Sequence, residues 1–336
     1  MKIHHAIIGA VILAAGGVYL NNASWLAPAP DRLELMAHRG VYQQFSREGL
    51  TNETCTAAQS LPSGHSYLEN TLASMAAAFE YGADIVEFDI HATSDGDFIV
   101  FHDWTLECRT NGSGRTRDHS VDKLKQLDIA YGYTFDGGET FPLRGSGYGL
   151  MPTLGEVLET FPERRFLVDI KSNQASEADR LHAWLEAHPG ANPDRLMVIA
   201  GPRAAERLNA LRPDMTAFSK QQVMTCMRRY MLLGWSGYVP RACHDGFAGA
   251  PVNMTWMLWG WPNRFIARME AVNTPVFIGG ETDITRPQNV GLDDPASLGA
   301  LRRNFRGGII TDRIELIGPA VRERWPDNPP ADARAD

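Results

Sequence analysis

Residues 84–103 read "DIVEFDIHATSDGDFIVFHD", two apolar runs of which the first holds acids at Glu87 and Asp89 and the second closes on His102 and Asp103. Side chains two apart on a strand share a face. Glu87 and Asp89 therefore point one way and Phe88 the other. "LVDIK" repeats the device, with Asp169 and Lys171 on one face and Ile170 on the other. Such strands suit a curled parallel sheet whose outer face meets helices and whose inner face carries chemistry near the strand ends.

The rest of the chain supplies the partners. Strand candidates are residues 33–38, 84–90, 98–103, 165–171, 196–200, 215–219, 275–279 and 307–311. Helical patterns lie between them. "NTLASMAAAFEYG" has Asn70 as its expected N-cap and Gly82 as its stop, and Thr153 with Glu156 forms a capping box before "LGEVLETF". Strands alternating with helices argue for a parallel sheet, and about eight strands in 336 residues fit a (β/α)8 TIM barrel. An open doubly wound sheet is the rival, but no G-x-G-x-x-G follows a strand. A net charge of −8 gives no basic field for nucleic acid.

Ala6 to Leu20 is uncharged and mostly apolar, behind Lys2. It reads as a signal anchor or a cleaved export signal, with a buried first helix as the third possibility. No A-x-A site follows closely, and "NNASWLAPAP" pairs an interfacial aromatic with a Pro-rich linker. The expected organisation is anchor or signal plus linker at 1–30, one domain at 31–320, and a disordered tail at 321–336 ending in "DNPPADARAD". The four cysteines, Cys55, Cys108, Cys226 and Cys243, form no C-x-x-C pair. In an exported chain they permit two disulfides, the alternative being free thiols.

Three inward carboxylates, Glu87, Asp89 and Asp169, cannot sit together unpaired, because burial and mutual repulsion both disfavour the charged forms. A hard divalent cation with oxygen ligands, Mg²⁺ or Ca²⁺, resolves the conflict. A salt-bridge network around Lys171 is the other resolution. His38 and His102 lie at ends of strand candidates, where barrel enzymes build their sites. His91 shares the Glu87 face but reads as a loop residue past the strand end.

"AHRG" (37–40), "LENT" (68–71), residues 82–106, "TNGSG" (110–114), "MPTLGEVLETFP" (151–162), "VDIK" (168–171) and "GGIITD" (307–312) occur in this order. Together they resemble the glycerophosphodiester phosphodiesterase family, whose fold is a TIM barrel. The resemblance implies His38 and His102 as general acid and base. It implies Arg39 and Lys171 as contacts to phosphate, and Glu87, Asp89 and Asp169 as ligands of one Mg²⁺ or Ca²⁺. The third ligand in that family is usually a glutamate, so Asp169 departs by one methylene. Glu69 is implied near the site, with helix capping as its plainer reading. In a barrel, the loops bearing Cys55 and Cys108 would rise from one face, which makes Cys55–Cys108 and Cys226–Cys243 the expected pairs.

Residues 41–68 form a long insertion after the first strand. "RRYMLLGWSGYVP" (228–240) and "MTWMLWGWPNRFIARM" (254–269) are rich in tryptophan with arginines alongside, a composition of core segments or of a membrane interface. "FPERRFLVDIK" (161–171) together with "MLLGWSGYVP" (231–240) looks like the membrane-associated lysophospholipase D branch of the family. The expected substrate is a glycerophosphodiester or a lysophospholipid. The expected location is a membrane, facing the extracytoplasmic side, or secretion to it. Phospholipase C- or D-like action on intact lipid is one alternative, and a non-catalytic binder of lipid headgroups is another.

Overall fold

The computed structural model describes residues 2–51, 54–282 and 291–328. An apolar helix, α1 (Lys2–Asn21), precedes the domain. Then follow β1 (Glu34–His38), α2 (Leu72–Glu80), β2 (Ile85–Ala92), β3 (Phe98–Val100), α3 (Val121–Lys125), α4 (Leu154–Thr160) and β4 (Arg165–Ile170). The second half runs α5 (Ala175–Ala187), β5 (Leu196–Ile199), α6 (Pro202–Leu211), β6 (Thr216–Phe218), α7 (Lys220–Leu233), β7 (Ala248–Pro251), α8 (Asn263–Glu270), β8 (Val276–Gly279), β9 (Gly308–Thr311) and α9 (Ile314–Arg324).

Among the described residues eight strands are parallel, in the order β6-β5-β4-β2-β1-β9-β8-β7, and they curl into the expected TIM-like sheet. Two strand readings need correction. β3 is no barrel stave; it pairs antiparallel with the end of β2, Ile90 opposite Val100. Residues 93–97 are too few for a parallel crossover, which needs a dozen or more residues, so only a hairpin can form there. The eighth stave is β7, "AGAP", whose small residues and proline carry no strand signal.

Among the described residues no ladder joins β6 to β7. Rings fill that seam. Phe218 of β6 stacks on Phe247 at 4.9 Å, and Phe247 stacks on Phe277 of β8 at 5.3 Å. With Met36, Ile85 and Leu167 they form the barrel's inner core. Phe88 faces outward as its parity requires and meets Phe166 edge-on at 5.3 Å, within the core between sheet and helices. The alternation along β2 is therefore resolved by depth: Ile85 plugs the interior while Glu87 and Asp89 line its upper part.

Above the strand ends, the insertion at 41–68 and the excursion at 101–152 share a satellite core around Leu68, Phe101, Leu106, Leu127 and Tyr133. Cys55–Cys108 ties the two together, and Cys226–Cys243 ties α7 to the segment entering β7. The expected boundary at 320 falls inside α9. Trp325 is buried, and the Asn328 side chain accepts from Leu33 N–H and donates to its carbonyl, so the domain continues to 328. Residues 329–336 lie outside the described residues.

Candidate active site

Sheet register assembles the site. His38 of β1 stands beside Glu87 of β2, and Asp89 of β2 stands beside Asp169 of β4. Glu87, Asp89 and Asp169 each offer an oxygen within 4.8 Å of the others. All three are expected ligands, and they converge. The chain leaves β1 through Arg39 and Gly40, both at positive φ. A side chain at Gly40 would meet Ser74 backbone and hydroxyl atoms at 2.6–2.9 Å, so only glycine lets α2 approach this turn.

The two histidines are each held by a carboxylate. His38 Nδ1 lies 2.7 Å from Asp312, which closes β9, and His102 Nδ1 lies 2.7 Å from Asp103. Burial pushes Asp312 up, but His38 and then Arg47 outweigh it and hold it well below the carboxylate range. Burial likewise opposes ionisation of Asp103, and Arg109 with His102 overrides it. Both acids are thus acceptors, Nδ1–H donates to each, and each imidazole keeps Nε2 for other work. Burial pulls both histidines down. Glu87 and Asp312 reverse this for His38, whereas Arg39 adds to it for His102.

Cations thread between the acids. Arg39 Nε lies 3.2 Å from Asp89 and its Nη1 donates to Glu69 at 3.1 Å. Arg109 reaches Asp103 at 3.0 Å and Glu69 at 3.5 Å. Glu69 therefore fixes two guanidinium groups and caps no helix. The cap of α2 is Thr71, in a capping box with Ser74. Asn70 corrects its expected role. It adopts φ 60°, donates to Asp89 Oδ2 at 2.9 Å and accepts from Asp89 N–H at 3.1 Å. His91 is in β2, not beyond it. It is buried, bonds the His102 carbonyl at 3.3 Å and meets Trp104 edge-on.

Lys171 Nζ lies 2.6 Å from Asp89 and 2.7 Å from Asp169, so the Lys171 network that the spacing left open is present. Lys171 pairs with Asp89 and Asp169, and among the described residues no salt bridge joins it to Glu87. Asp89 Oδ1 is buried and is the oxygen that Lys171 approaches. Burial and then the charge of Asp89 push Glu87 up to about 7. Three converging carboxylates, one of them driven toward protonation, fit a hard cation.

Sequence reasoning missed the supporting tier: Asp312, Asp103, Asn70, Arg109 and Arg47. Asp312 and Asp103 did carry a signal, each an acid directly following a strand candidate or beside a site histidine. Arg47 gave none, because it comes from the insertion to pair with Asp312.

Residues 61–195 match the model of the glycerophosphoryl diester phosphodiesterase family. The chain is similar to the glycerophosphodiester phosphodiesterase of Caldanaerobacter subterraneus, 38% identical over 31% of this chain and 39% of that one. It is also similar to one from Bacillus subtilis, 31% identical over 48% of each. These matches span less than half the length of either relative. Among solved structures, a glycerophosphoryl diester phosphodiesterase domain from Mycobacterium tuberculosis aligns over 86% of this chain and 98% of its own, with TM-score 0.59 and 14% identity. An Oleispira antarctica phosphodiesterase, solved with the product sn-glycerol-3-phosphate, aligns over 89% and 99%, with TM-score 0.52 and 18% identity. These two likenesses establish the fold.

Proposed function

We propose, for a chain whose residues 61–195 belong to the glycerophosphoryl diester phosphodiesterase family, that it hydrolyses glycerophosphodiesters with the help of one divalent cation. The observation that carries the reading is the convergence of Glu87, Asp89 and Asp169 between two histidine–aspartate pairs. Glu87, Asp89 and Asp169 would hold the cation, Mg²⁺ or Ca²⁺, which when bound neutralises charge on the phosphoryl oxygens.

The chain's own residues do the rest. Arg39 and Lys171 present cations beside the cluster and orient the phosphodiester. One of His38 and His102 takes the proton of the attacking hydroxyl on Nε2, and the other gives a proton to the departing alkoxide oxygen. Asp312 and Asp103 hold the rings and stabilise each imidazolium as it forms. Glu69 keeps Arg39 and Arg109 in place.

The membrane is the partner of α1, a helix with an apolar window His4–Asn21 of mean hydropathy 1.4 and none of it buried. Two disulfides favour the oxidising side. Lysophospholipid is the substrate variant that this attachment favours. Release of glycerol 3-phosphate or choline from glycerophosphocholine and from lysophosphatidylcholine, with and without chelator, tests the reading. Activity should vanish in excess EDTA and return with Mg²⁺ or Ca²⁺. Full turnover in EDTA would refute the cation, and no turnover of either substrate with cation would refute the reaction.

A further inference from the structure

The end of α1 does not simply run into a linker. Its last residues are gripped by the barrel flank formed by α7 and α8. Arg268 of α8 donates to the Asn21 carbonyl at 2.8 Å and to Asn22 Oδ1 at 2.9 Å. The same guanidinium donates to Tyr230 Oη and to the Gly234 carbonyl at the end of α7. Asn22 donates to the Trp235 carbonyl at 2.8 Å, and Asn263 N–H donates to Ser24 Oγ at 2.9 Å. A cation on the free carbonyls of a helix C-terminus is the favourable sign for the helix dipole. Ala23 and Ala27 are buried behind this joint. An export signal destined for removal has no use for such a receptor in the mature domain.

Around the joint the surface is apolar. Trp25 and Leu26 lie in the short turn after α1, at 69% and 46% exposure. Leu232, 74% exposed, and Leu233 end α7, and Trp235 follows them. Trp259 is tied to the same spot, because its indole donates to the Met231 carbonyl and its own carbonyl accepts from Tyr230. Exposed Arg228 and Arg229 lie one helical turn before Leu232 and Leu233. Large apolar side chains below cations, continuous with an apolar helix, match the chemistry of a bilayer's headgroup boundary.

We propose that this joint and collar form a membrane seat: α1 is retained, Arg268 fixes its angle to the barrel, and the α7–α8 flank rests on the bilayer. The occupant is lipid, because the collar grows directly out of a helix of bilayer composition. Trp261, in the 254–269 segment that the sequence left between core and interface, packs against Phe265 and Phe305 and belongs to the core. The proposal takes from the proposed function only the reading of α1, and hydrolysis of soluble glycerophosphocholine measured alongside keeps the two separate.

The test uses the full chain, made in an exporting bacterium and placed in phosphatidylcholine vesicles with and without phosphatidylglycerol. A bimane label at Leu232→Cys is compared with one at Glu159→Cys, exposed on α4. Brominated lipid should quench the label at 232 roughly two-fold or more, because the headgroup boundary admits groups to about 5–10 Å. The label at 159 should be unaffected. Arg268→Ala should still pellet with vesicles but lose most of the quenching at 232. Asn22→Ala, a milder change at the exposed joint, should lose part of it. Recovered protein lacking residues 2–24 would overturn the proposal. So would equal quenching at both labels, or a label at 232 shielded without lipid in a chain of doubled mass, which would make the collar a contact between copies.

Discussion

At the scale of single residues, the site is built from pairs whose second members set the properties of the first. In the proposed mechanism His38 and His102 serve one reaction, so each change to alanine should lower turnover by about 10²–10⁴. The double variant should fall far short of the product of the two, because the groups act as a unit. Steady-state rates on glycerophosphocholine decide this, and a near-normal rate for either single variant would remove that residue from the chemistry. Asp103 offers a separate test through stability. Arg109 and His102 hold it below the usual carboxylate range against burial. A carboxylate depressed on folding contributes stability that is complete above its unfolded value, about 3.9, and is lost as pH falls below that value toward the folded one. Melting temperature should therefore drop between about pH 5 and 3 more steeply for the native chain than for Asp103→Asn. Parallel acid limbs for the two proteins would show that Asp103 gains nothing from its partners.

At the scale of elements, legibility followed side-chain chemistry. The parity of β2 was readable because Glu87 and Asp89 are charged and Phe88 is not. The capping box of Thr153 and Glu156 was readable because its signature is local, and α4 begins there. β7 was not, since "AGAP" owes its strand to the neighbours β8 and α7 rather than to its own propensity. Asn70 was misread as a cap because its left-handed backbone and its bonds to Asp89 depend on tertiary contacts. The 41–68 segment was legible as an insertion after the first strand but not as the supplier, through Arg47, of a partner to Asp312. The disulfides fall between these cases, since pairing required the barrel first. Cys226–Cys243 spans from α7, which follows β6, to the entrance of β7, and so bridges the seam that has no ladder. Its loop-closure contribution is roughly 3 kcal/mol. Replacing both cysteines by serine should raise amide exchange in β6 and β7 while leaving β2 and β4 near their original protection. A uniform rise across all eight staves would mean that the stacked phenylalanines already close the seam and the bridge stabilises only globally.

At the scale of the whole molecule, the barrel brings two surfaces into one body: a polar site above the strand ends and an apolar flank continuous with α1. A chain that begins at Asp31 loses the helix but keeps Leu232, Leu233, Trp235 and Trp259. It also keeps every residue of the site, so its turnover of dissolved glycerophosphocholine should match that of the full chain. On lysophosphatidylcholine in vesicles the outcome should differ, because attachment raises the effective concentration of enzyme over the lipid by orders of magnitude, about 10²–10⁴ in favourable linkages. Truncation should therefore lower the vesicle rate selectively. It should not abolish it, since the collar retains a weak affinity of its own, and Leu232→Ser with Leu233→Ser in the truncated chain should remove that remainder. The ratio of the two rates, measured across a series of vesicle concentrations, separates the contributions of helix and collar. Equal loss on both substrates would instead assign residues 2–30 to the fold itself, through the buried Ala23 and Ala27 and the bonds that Asn21, Asn22 and Ser24 make to the barrel flank.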